Sequence, residues 1–180
     1  MLGCRAVKTH TVSPKAFESI NYPYIAEIEN GIFDMLCEPH LPNMGNFDIS
    51  DNICPDVALI KLIPGTNPGI IDAMLQCGIK GLVVESFGMG GVHNIRRDHN
   101  ESLIRLMNNG VCVVLTSQCL FEAASLDVYE VSRPLHDAGA ISAGNMTTEA
   151  AVTKLMWALG QTSDMGKVKE MFMHDFCCEK

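Results

Sequence analysis

The sequence contains few basic residues and no basic cluster. Its 180 residues include 13 lysines and arginines against 21 aspartates and glutamates, which gives a formal net charge of −8. A surface that binds nucleic acid or an anionic membrane needs clustered lysine and arginine to neutralise phosphate. We therefore expect neither a nucleic-acid partner nor a membrane partner.

Long apolar runs are also absent. Every apolar run is shorter than a dozen residues, whereas a helix that crosses a membrane needs about 20 consecutive apolar residues. The first thirty residues do not show a charged stretch followed by an apolar one, which is the pattern of a secretory signal peptide. We expect a cytoplasmic location.

Eight cysteines are present, but no two have the C-x-x-C spacing of metal and redox motifs. Cys77 and Cys112 lie in apolar helix or strand patterns, which is typical of buried thiols. Cys177 and Cys178 lie near the end of the sequence, where we expect a frayed tail. Reduced thiols are therefore favoured over disulfides.

The sequence offers little to hold a metal or a cofactor. Zinc binds cysteine sulfur and histidine nitrogen, so a structural site built from His93, His99 and scattered cysteines is possible on composition alone. These residues do not form a closely spaced set. We expect no metal and no cofactor.

The most informative stretch runs from residue 80 to residue 92. The short apolar run Leu82–Val84 is followed by a loop that contains Gly88, Gly90 and Gly91. Glycine relaxes the backbone where a chain leaves a sheet. In parallel α/β domains a buried strand that ends in such a loop presents functional groups at the carboxyl end of the sheet.

From Asp56 onward the sequence alternates between strand and helix patterns. The predicted strands are 57–63, 82–84, 111–115 and 138–143, and the predicted helices are 68–76, 98–109, 147–159 and a last one that opens at Asp164. Crossovers of this length join parallel strands. The pattern predicts a small flavodoxin-like, three-layer α/β/α domain with a four-stranded parallel sheet.

The first 55 residues do not show this alternation. Residues 25–33 predict a β-hairpin around Asn30-Gly31, the strongest short hairpin signal. Residues 17–24 are expected to form an extended connection, and residues 1–9 are too short to anchor a core. The expected division is a hairpin tail (1–34), a linker rich in Pro, Asn and Gly (35–55) and the α/β domain (56–180).

Six segments carry a resemblance to a known family. They are Arg5–Thr9, Phe17–Pro23, Pro64-Gly65, Glu85–Val92, Thr116–Cys119 and Met146–Leu155. In this order and spacing, the chain resembles the carboxyl-terminal part of L-asparaginases, specifically the bacterial type I, cytoplasmic branch. The amidase subunit of archaeal glutamyl-tRNA amidotransferase shares the pattern in outline.

The resemblance implies a two-domain amidohydrolase that converts L-asparagine to L-aspartate and ammonia without a metal or cofactor. In this family the N-terminal domain carries a Thr-Gly-Gly-Thr and a His-Gly-Thr-Asp segment, and a lysine completes a Thr-Lys-Asp triad that activates a threonine hydroxyl. Neither threonine segment occurs in these 180 residues. Only Lys8 matches a catalytic position. We therefore expect residues 1–34 to be the end of that N-terminal domain, and the chain to be inactive by itself.

The resemblance also gives a role to the glycine-rich loop. Ser86, Gly88, Gly90 and Gly91 match a loop that helps to close the active site of a neighbouring subunit. Many relatives have an asparagine at the position of Gly91, so only backbone N–H groups could contact a substrate carboxylate here. The alternative is a tight turn that merely ends the strand.

A possible effector site is the third feature that the resemblance implies. Some bacterial type I enzymes bind a second asparagine as an activator, with an arginine in place of Glu85 and a threonine in place of Val7. The rest of that site matches Thr116, Ser117, Gln118 and Cys119. A carboxylate at position 85 would repel the carboxylate of the effector. We expect no activation by asparagine.

Three other positions depart from the family pattern. Ala123 and Ser132 stand where the family usually has glycine, and Asn145 stands where it usually has aspartate. If the glycines have positive φ, each replacement costs on the order of 1 kcal/mol and the 120–133 loop is shifted or mobile. We expect Asn145 to cap the following helix, as aspartate would.

The leading hypothesis is thus the C-terminal domain of an L-asparaginase, which takes part in subunit association and in closing the active site. Its expected partners are L-asparagine or L-glutamine and further copies of the same protein. Two alternatives remain open. One is an amino-acid-binding or assembly module, and the other is a fragment of a glutamyl-tRNA amidotransferase.

Overall fold

The computed structural model describes residues 1–38, 49–126 and 132–180. The strands are β1 (Ala6–Lys8), β2 (Phe17–Ser19), β3 (Ala26–Glu29), β4 (Ile32–Met35), β5 (Val57–Lys61), β6 (Gly81–Ser86), β7 (Cys112–Ser117) and β8 (Ile141–Ser142). The helices are α1 (Pro68–Gln76), α2 (His99–Asn108), α3 (Arg133–Asp137), α4 (Thr148–Gln161) and α5 (Met165–Met173), and Gly3–Arg5 form a 3₁₀ turn.

A four-stranded parallel sheet forms the centre of the domain. Strands β5, β6, β7 and β8 lie side by side in sequence order. The register pairs Lys61 with Glu85 and Glu85 with Thr116. The predicted α/β fold with a four-stranded parallel sheet is therefore confirmed.

Helices cover both faces of this sheet because the apolar side chains of each strand alternate in direction. Leu82 and Leu115 belong to a buried cluster that includes residues of α1, α2 and α3. Val83 and Val114 belong to a second cluster that includes residues of α4 and α5. The continuous apolar runs of β6 and β7 are thus buried on both sides, as expected for central parallel strands.

The helix boundaries follow from their capping residues. Asn67, Asp98, Thr147 and Asp164 each accept a hydrogen bond from a backbone N–H in the first turn of the helix that follows. The fourth strand is shorter than predicted, since only Ile141–Ser142 pair with β7. Helix α3, which precedes β8, was not predicted, and Gly139 shortly after its end has a φ of +102°.

The N-terminal segment contains more structure than expected. The predicted hairpin forms between β3 and β4, and Asn30 and Gly31 have φ values of +50° and +80°. Residues 17–24 are not simply a connection, because β2 pairs with β1 in a second antiparallel sheet. Ile20 is fully buried after β2. Cys4 and Arg5 also bind Thr147 and Asn145, so this part of the N-terminal segment packs on the domain that follows it.

The expectation of a frayed C-terminal tail is wrong. Glu179 is 3% exposed and its carboxylate forms an ion pair with Lys154 of α4. The Phe176 ring packs edge-on against Trp157, with 5.2 Å between ring centroids. The tail is therefore docked on α4.

The cysteines are all thiols, and all eight lie in the described ranges. Cys54 and Cys112 are buried, whereas Cys77 is exposed at the end of α1, in contrast to the prediction. About half of the predicted linker, residues 39–48, lies outside the described residues. Within the described ranges we find no helix with the length and apolar character needed to cross a membrane.

Candidate functional site

Most of the predicted site residues, although not Lys8, lie where strands β5, β6 and β7 end. Because the strands are parallel and in register, Glu85 lies beside Thr116, and Ser86 lies beside Ser117. We call Glu85, Ser86, Thr116, Ser117 and Gln118 the strand-end cluster. The sheet thus brings together two segments that are thirty residues apart in the sequence.

The Gln118 side chain holds the strand ends together. Its Nε2 donates to the carbonyl oxygen of Leu62 at 2.6 Å and to that of Glu85 at 2.9 Å. These two carbonyls belong to the ends of β5 and β6, while Gln118 itself follows β7. One amide group therefore fixes the relative position of three strand ends.

Gln118→Met is expected to lower the free energy of unfolding by about 1.5 kcal/mol, because two carbonyl groups lose a donor. Urea unfolding at neutral pH measures this change. The matched control is Gln76→Met, since Gln76 is exposed at the end of α1. The control should change stability by less than about 0.5 kcal/mol. Equal effects of the two variants would contradict this role of Gln118.

The Glu85 carboxylate is bound by two groups of its own chain. It accepts a hydrogen bond from Thr148 Oγ1 at 2.8 Å, and Lys61 Nζ lies 3.5 Å from its other oxygen. The Glu85 side chain is only 17% exposed. Thr148 opens α4, so the carboxylate also joins the end of β6 to the helix on one face of the sheet.

The hydroxyl groups of the cluster hold the backbone of the glycine-rich loop. Ser86 Oγ donates to the Thr116 carbonyl at 2.6 Å, and Ser117 Oγ donates to the Gly88 carbonyl at 2.5 Å. Ser117 Oγ also accepts from the Cys119 N–H at 2.9 Å. Thr116 is buried. These groups fix the shape of the loop that leaves β6.

The glycine-rich loop is a tight turn. Phe87 and Gly91 exchange two backbone hydrogen bonds of 2.8 and 2.9 Å, and the Gly90 N–H donates to the same Phe87 oxygen. Gly88 and Gly90 have φ values of +52° and +119°, which glycine adopts without strain. The N–H groups of Gly90 and Gly91 are thus used within the turn, as the tight-turn alternative requires.

Ala123 and Ser132, which stand where the family usually has glycine, do not strain the backbone as expected. Ser132 has a φ of −94°, and Ala123 is not among the residues with positive φ, so the expected backbone strain is absent. Ser132 is instead fully buried and its Oγ donates to the Gly90 carbonyl at 2.7 Å. Residues 127–131 of this loop lie outside the described residues.

The prediction that Asn145 caps α4 is wrong. Thr147 takes that role, because its hydroxyl accepts from the Ala150 N–H at 3.1 Å. The carbonyl and side-chain oxygens of Asn145 instead accept hydrogen bonds from Arg5 Nη1 at 3.0 and 3.1 Å. Sequence reasoning did not identify Arg5, which is 2% exposed.

Lys8 lies in β1, opposite Phe17 of β2, and its side chain is exposed. Among the described residues, no hydrogen bond or ion pair joins Lys8 to the strand-end cluster. Val7 beside it is buried. The structure therefore does not unite Lys8 with the other predicted site residues.

A cavity of about 490 Å³ lies elsewhere, between α4 and the C-terminal tail. Trp157 and Phe176 line it, together with the paired side chains of Lys154 and Glu179. These two charges neutralise each other.

In the described part of the chain, no group of three or more His, Cys, Asp or Glu side chains is arranged to hold a metal ion.

The fold and the strand-end cluster define the class of domain. The family described as "Glutaminase/Asparaginase C-terminal domain" matches residues 56–172, and the chain belongs to this family. An L-asparaginase from Thermococcus kodakarensis is 36% identical over 99% of this chain and 54% of its own length. One subunit of the glutamyl-tRNA(Gln) amidotransferase from Metallosphaera sedula is 35% identical over 95% of this chain and 39% of its own length.

Solved structures agree with this assignment. The thermostable L-asparaginase from Thermococcus kodakarensis superposes with a TM-score of 0.90 and covers 99% of this chain. L-asparaginase I from Vibrio cholerae superposes with a TM-score of 0.86 at 26% identity. The chain spans 54% of both structures, and so about half the length of these L-asparaginases.

Proposed function

We propose that this chain is the C-terminal domain of a cytoplasmic, type I L-asparaginase, whose whole form converts L-asparagine and water to L-aspartate and ammonia. The observation that carries the proposal is the superposition on the Thermococcus kodakarensis L-asparaginase, with a TM-score of 0.90 over 99% of this chain. The likeness to L-asparaginase I from Vibrio cholerae supports the type I branch.

Lys8 is the catalytic residue that we assign to this chain, and it acts only in the whole enzyme. A lysine amine contributes to amide hydrolysis by helping to deprotonate a nucleophilic hydroxyl. The 180 residues contain neither Thr-Gly-Gly-Thr nor His-Gly-Thr-Asp, so the nucleophile and the neighbouring oxyanion-stabilising groups are not among them. The chain by itself should therefore be inactive.

The β3–β4 hairpin supports the proposed division into residues 1–34, 35–55 and 56–180. Ile28, Phe33 and Met35 lie on one face of the hairpin and are between 54% and 75% exposed. Clustered apolar side chains on a surface mark an interface. We assign this surface to contact with the N-terminal domain of the whole enzyme, and we propose that the enzyme is a homo-oligomer in which the loop from Ser86 to Gly91 helps to close a neighbouring site.

Activation by a second asparagine is not part of the proposal. The Glu85 carboxylate occupies the position where an effector carboxylate would need a positive charge, and Thr148 and Lys61 hold it there. The rate of the whole enzyme should therefore rise hyperbolically with asparagine concentration. A sigmoidal rate curve that Glu85→Gln or Val7→Thr abolishes would contradict this prediction.

A complementation assay tests the proposed activity. The purified 180-residue chain should release no ammonia from asparagine or glutamine above a protein-free blank. Mixed or co-expressed with the N-terminal half of the Thermococcus kodakarensis L-asparaginase, it should restore asparagine hydrolysis. Lys8→Ala in this chain should remove that activity by at least about 100-fold, as expected for the loss of a proton-transfer group.

Two outcomes would contradict the proposal. Turnover by the chain alone that Lys8→Ala abolishes would show that the 180 residues are sufficient for catalysis. Failure of the complemented protein to hydrolyse asparagine, despite stable association of the two halves, would contradict the asparaginase assignment. A rise in melting temperature of the chain alone with asparagine, aspartate or glutamine would favour a binding module instead.

A glutamyl-tRNA amidotransferase is the second candidate, because the chain is 35% identical to one subunit of the Metallosphaera sedula enzyme. This role requires a tRNA-binding partner, since the net charge of −8 offers no phosphate-binding surface. The same complemented protein distinguishes the two candidates. Hydrolysis of asparagine without tRNA supports an asparaginase, and tRNA-dependent release of ammonia from glutamine supports the amidotransferase.

A further inference from the structure

Three cysteines meet where the N-terminal segment touches the C-terminal tail. Cys4 Sγ donates to the carbonyl oxygen of Cys177 at 3.2 Å, and Arg5 Nε donates to that of Cys178 at 2.6 Å. We call Cys4, Arg5, Cys177 and Cys178 the terminal clasp. It joins parts of the chain that are 173 residues apart in the sequence.

The backbone of Cys177 is held in a defined position beside Cys4. The Cys177 N–H donates to Glu179 Oε2 at 2.7 Å, and the Phe176 N–H donates to Glu179 Oε1 at 3.2 Å. Burial and the neighbouring Glu179 raise the pKa of the Cys177 thiol, and the Cys4 side chain is near enough to raise that pKa further. Although Cys177 as a residue is exposed, its thiol is partly shielded from water, and its carbonyl oxygen lies 3.2 Å from Cys4 Sγ.

We propose that Cys4 and Cys177 form a reversible disulfide when a small-molecule disulfide such as glutathione disulfide is available as the oxidant. The bond would connect the 3₁₀ turn before β1 to the tail that follows α5. The pairing stands whether or not the whole protein hydrolyses asparagine.

The bond forms by two thiol–disulfide exchanges. The Cys4 thiolate first attacks one sulfur of glutathione disulfide, which forms a mixed disulfide and releases one glutathione thiolate. The Cys177 thiol then attacks Cys4 Sγ, and its proton passes to the second glutathione thiolate as that group leaves. The two protein thiols lose two protons and two electrons, and the electrons reduce glutathione disulfide to two glutathione molecules. We place the first attack at Cys4 because the raised pKa makes the Cys177 thiol hard to deprotonate.

Competing pairs are disfavoured by geometry. The Cα atoms of adjacent residues in a trans peptide lie about 3.8 Å apart, below the usual range of about 4.4–6.8 Å in disulfides. The described chain has no cis peptide bond, so a bond between Cys177 and Cys178 would be strained. Cys112 lies in the core, where burial raises its pKa to about 11, and is not accessible to glutathione.

Peptide mapping tests the pairing in the 180-residue chain. The protein is equilibrated with glutathione and glutathione disulfide, its remaining thiols are alkylated, and it is denatured and digested with trypsin without reductant. The expected product is Met1–Arg5 linked to Glu170–Lys180, and dithiothreitol should separate these peptides. Cys178→Ser should still give the linked product, whereas Cys177→Ser should give at least about ten times less, because the assigned partner is lost.

A melting experiment provides the second measurement. Oxidation should raise the melting temperature of the wild-type chain by roughly 5–10 °C, because the disulfide restricts the unfolded chain over almost its whole length. Cys4→Ser should show no such rise, and its circular dichroism spectrum should match that of the reduced wild type. The proposal is overturned if oxidised wild type contains only unlinked peptides, an internal Cys177–Cys178 disulfide, or a Cys4–Cys178 link that Cys178→Ser removes.

Discussion

Lys154→Met is expected to lower the free energy of unfolding by about 3 kcal/mol, because it leaves a buried carboxylate without its counter-ion. The side chains of Lys154 and Glu179 are 8% and 4% exposed. Lys154 also donates to the carbonyl of His174 and lies 5.2 Å from the centre of the Phe176 ring. Urea unfolding at pH 7 measures the loss. A change below about 0.5 kcal/mol, the size expected for an exposed pair, would contradict the prediction.

The same pair should make stability depend on pH. Burial by itself would raise the pKa of Glu179. The hydrogen bonds of its carboxylate with Lys154, with Asp175 and with the backbone N–H of Cys177 outweigh burial and hold that pKa well below its ordinary value of 4.5. A lowered pKa in the folded state means that the carboxylate stabilises the fold above about pH 4.5 and that this contribution is lost as the pH falls further. Unfolding free energies measured from about pH 6 to pH 3 should therefore decrease less steeply in Glu179→Gln than in the wild type.

The double variant Lys154→Met/Glu179→Leu provides the control. Replacing both members of a buried ion pair with apolar side chains of similar size removes the unpaired charge and often costs little. The double variant should therefore be more stable than Lys154→Met alone. If the two single losses simply add, the side chains do not interact energetically and the assignment of the pair is wrong.

Arg5→Met is expected to lower the free energy of unfolding by about 3 kcal/mol, since three buried or partly buried acceptors lose a charged donor. Arg5 is 2% exposed, and its guanidinium donates to the Cys178 carbonyl and to both oxygens of Asn145. It also lies 6.0 Å from the centre of the Tyr22 ring. No ion pair with a carboxylate holds it within the ranges that the structure describes.

Two further variants make the Arg5 measurement specific. Arg5→Lys keeps the charge but loses the planar fork of donors, so it should cost about half as much as Arg5→Met. Arg96→Met is the matched control, because Arg96 is exposed and should change stability by less than about 0.5 kcal/mol. A loss in Arg5→Met no larger than that in Arg96→Met would show that the terminal clasp does not stabilise the fold.

The sequence predicts the α/β domain well because its signals are local. Leu82–Val84 and Val111–Leu115 are apolar runs of strand length, and Asp98 and Thr147 precede helical patterns as capping residues should. Glu85 and Thr116, which the resemblance grouped in one site, lie side by side because β6 and β7 are parallel neighbours. Helix α3 was missed because five residues give too short a pattern to detect.

Contacts between distant segments could not be predicted in this way. Arg5 and Asn145 are separated by 140 positions, and nothing near either residue indicates the other. Asn145 precedes a helix and therefore has the local pattern of a cap, although Thr147 takes that role. Glu179 is a charged residue near the end of the sequence, where exposure is the ordinary expectation, yet Lys154 lies 25 positions earlier on α4.

The meeting of the two ends has a practical consequence for protein engineering. Because Cys4 and Arg5 touch Cys177 and Cys178, a short glycine–serine bridge could join the ends into a ring. The ring could then be opened at the exposed turn Asn109-Gly110 to give a circular permutant. In such a permutant of the 180 residues β1 would be an internal segment, joined covalently to the tail that follows α5.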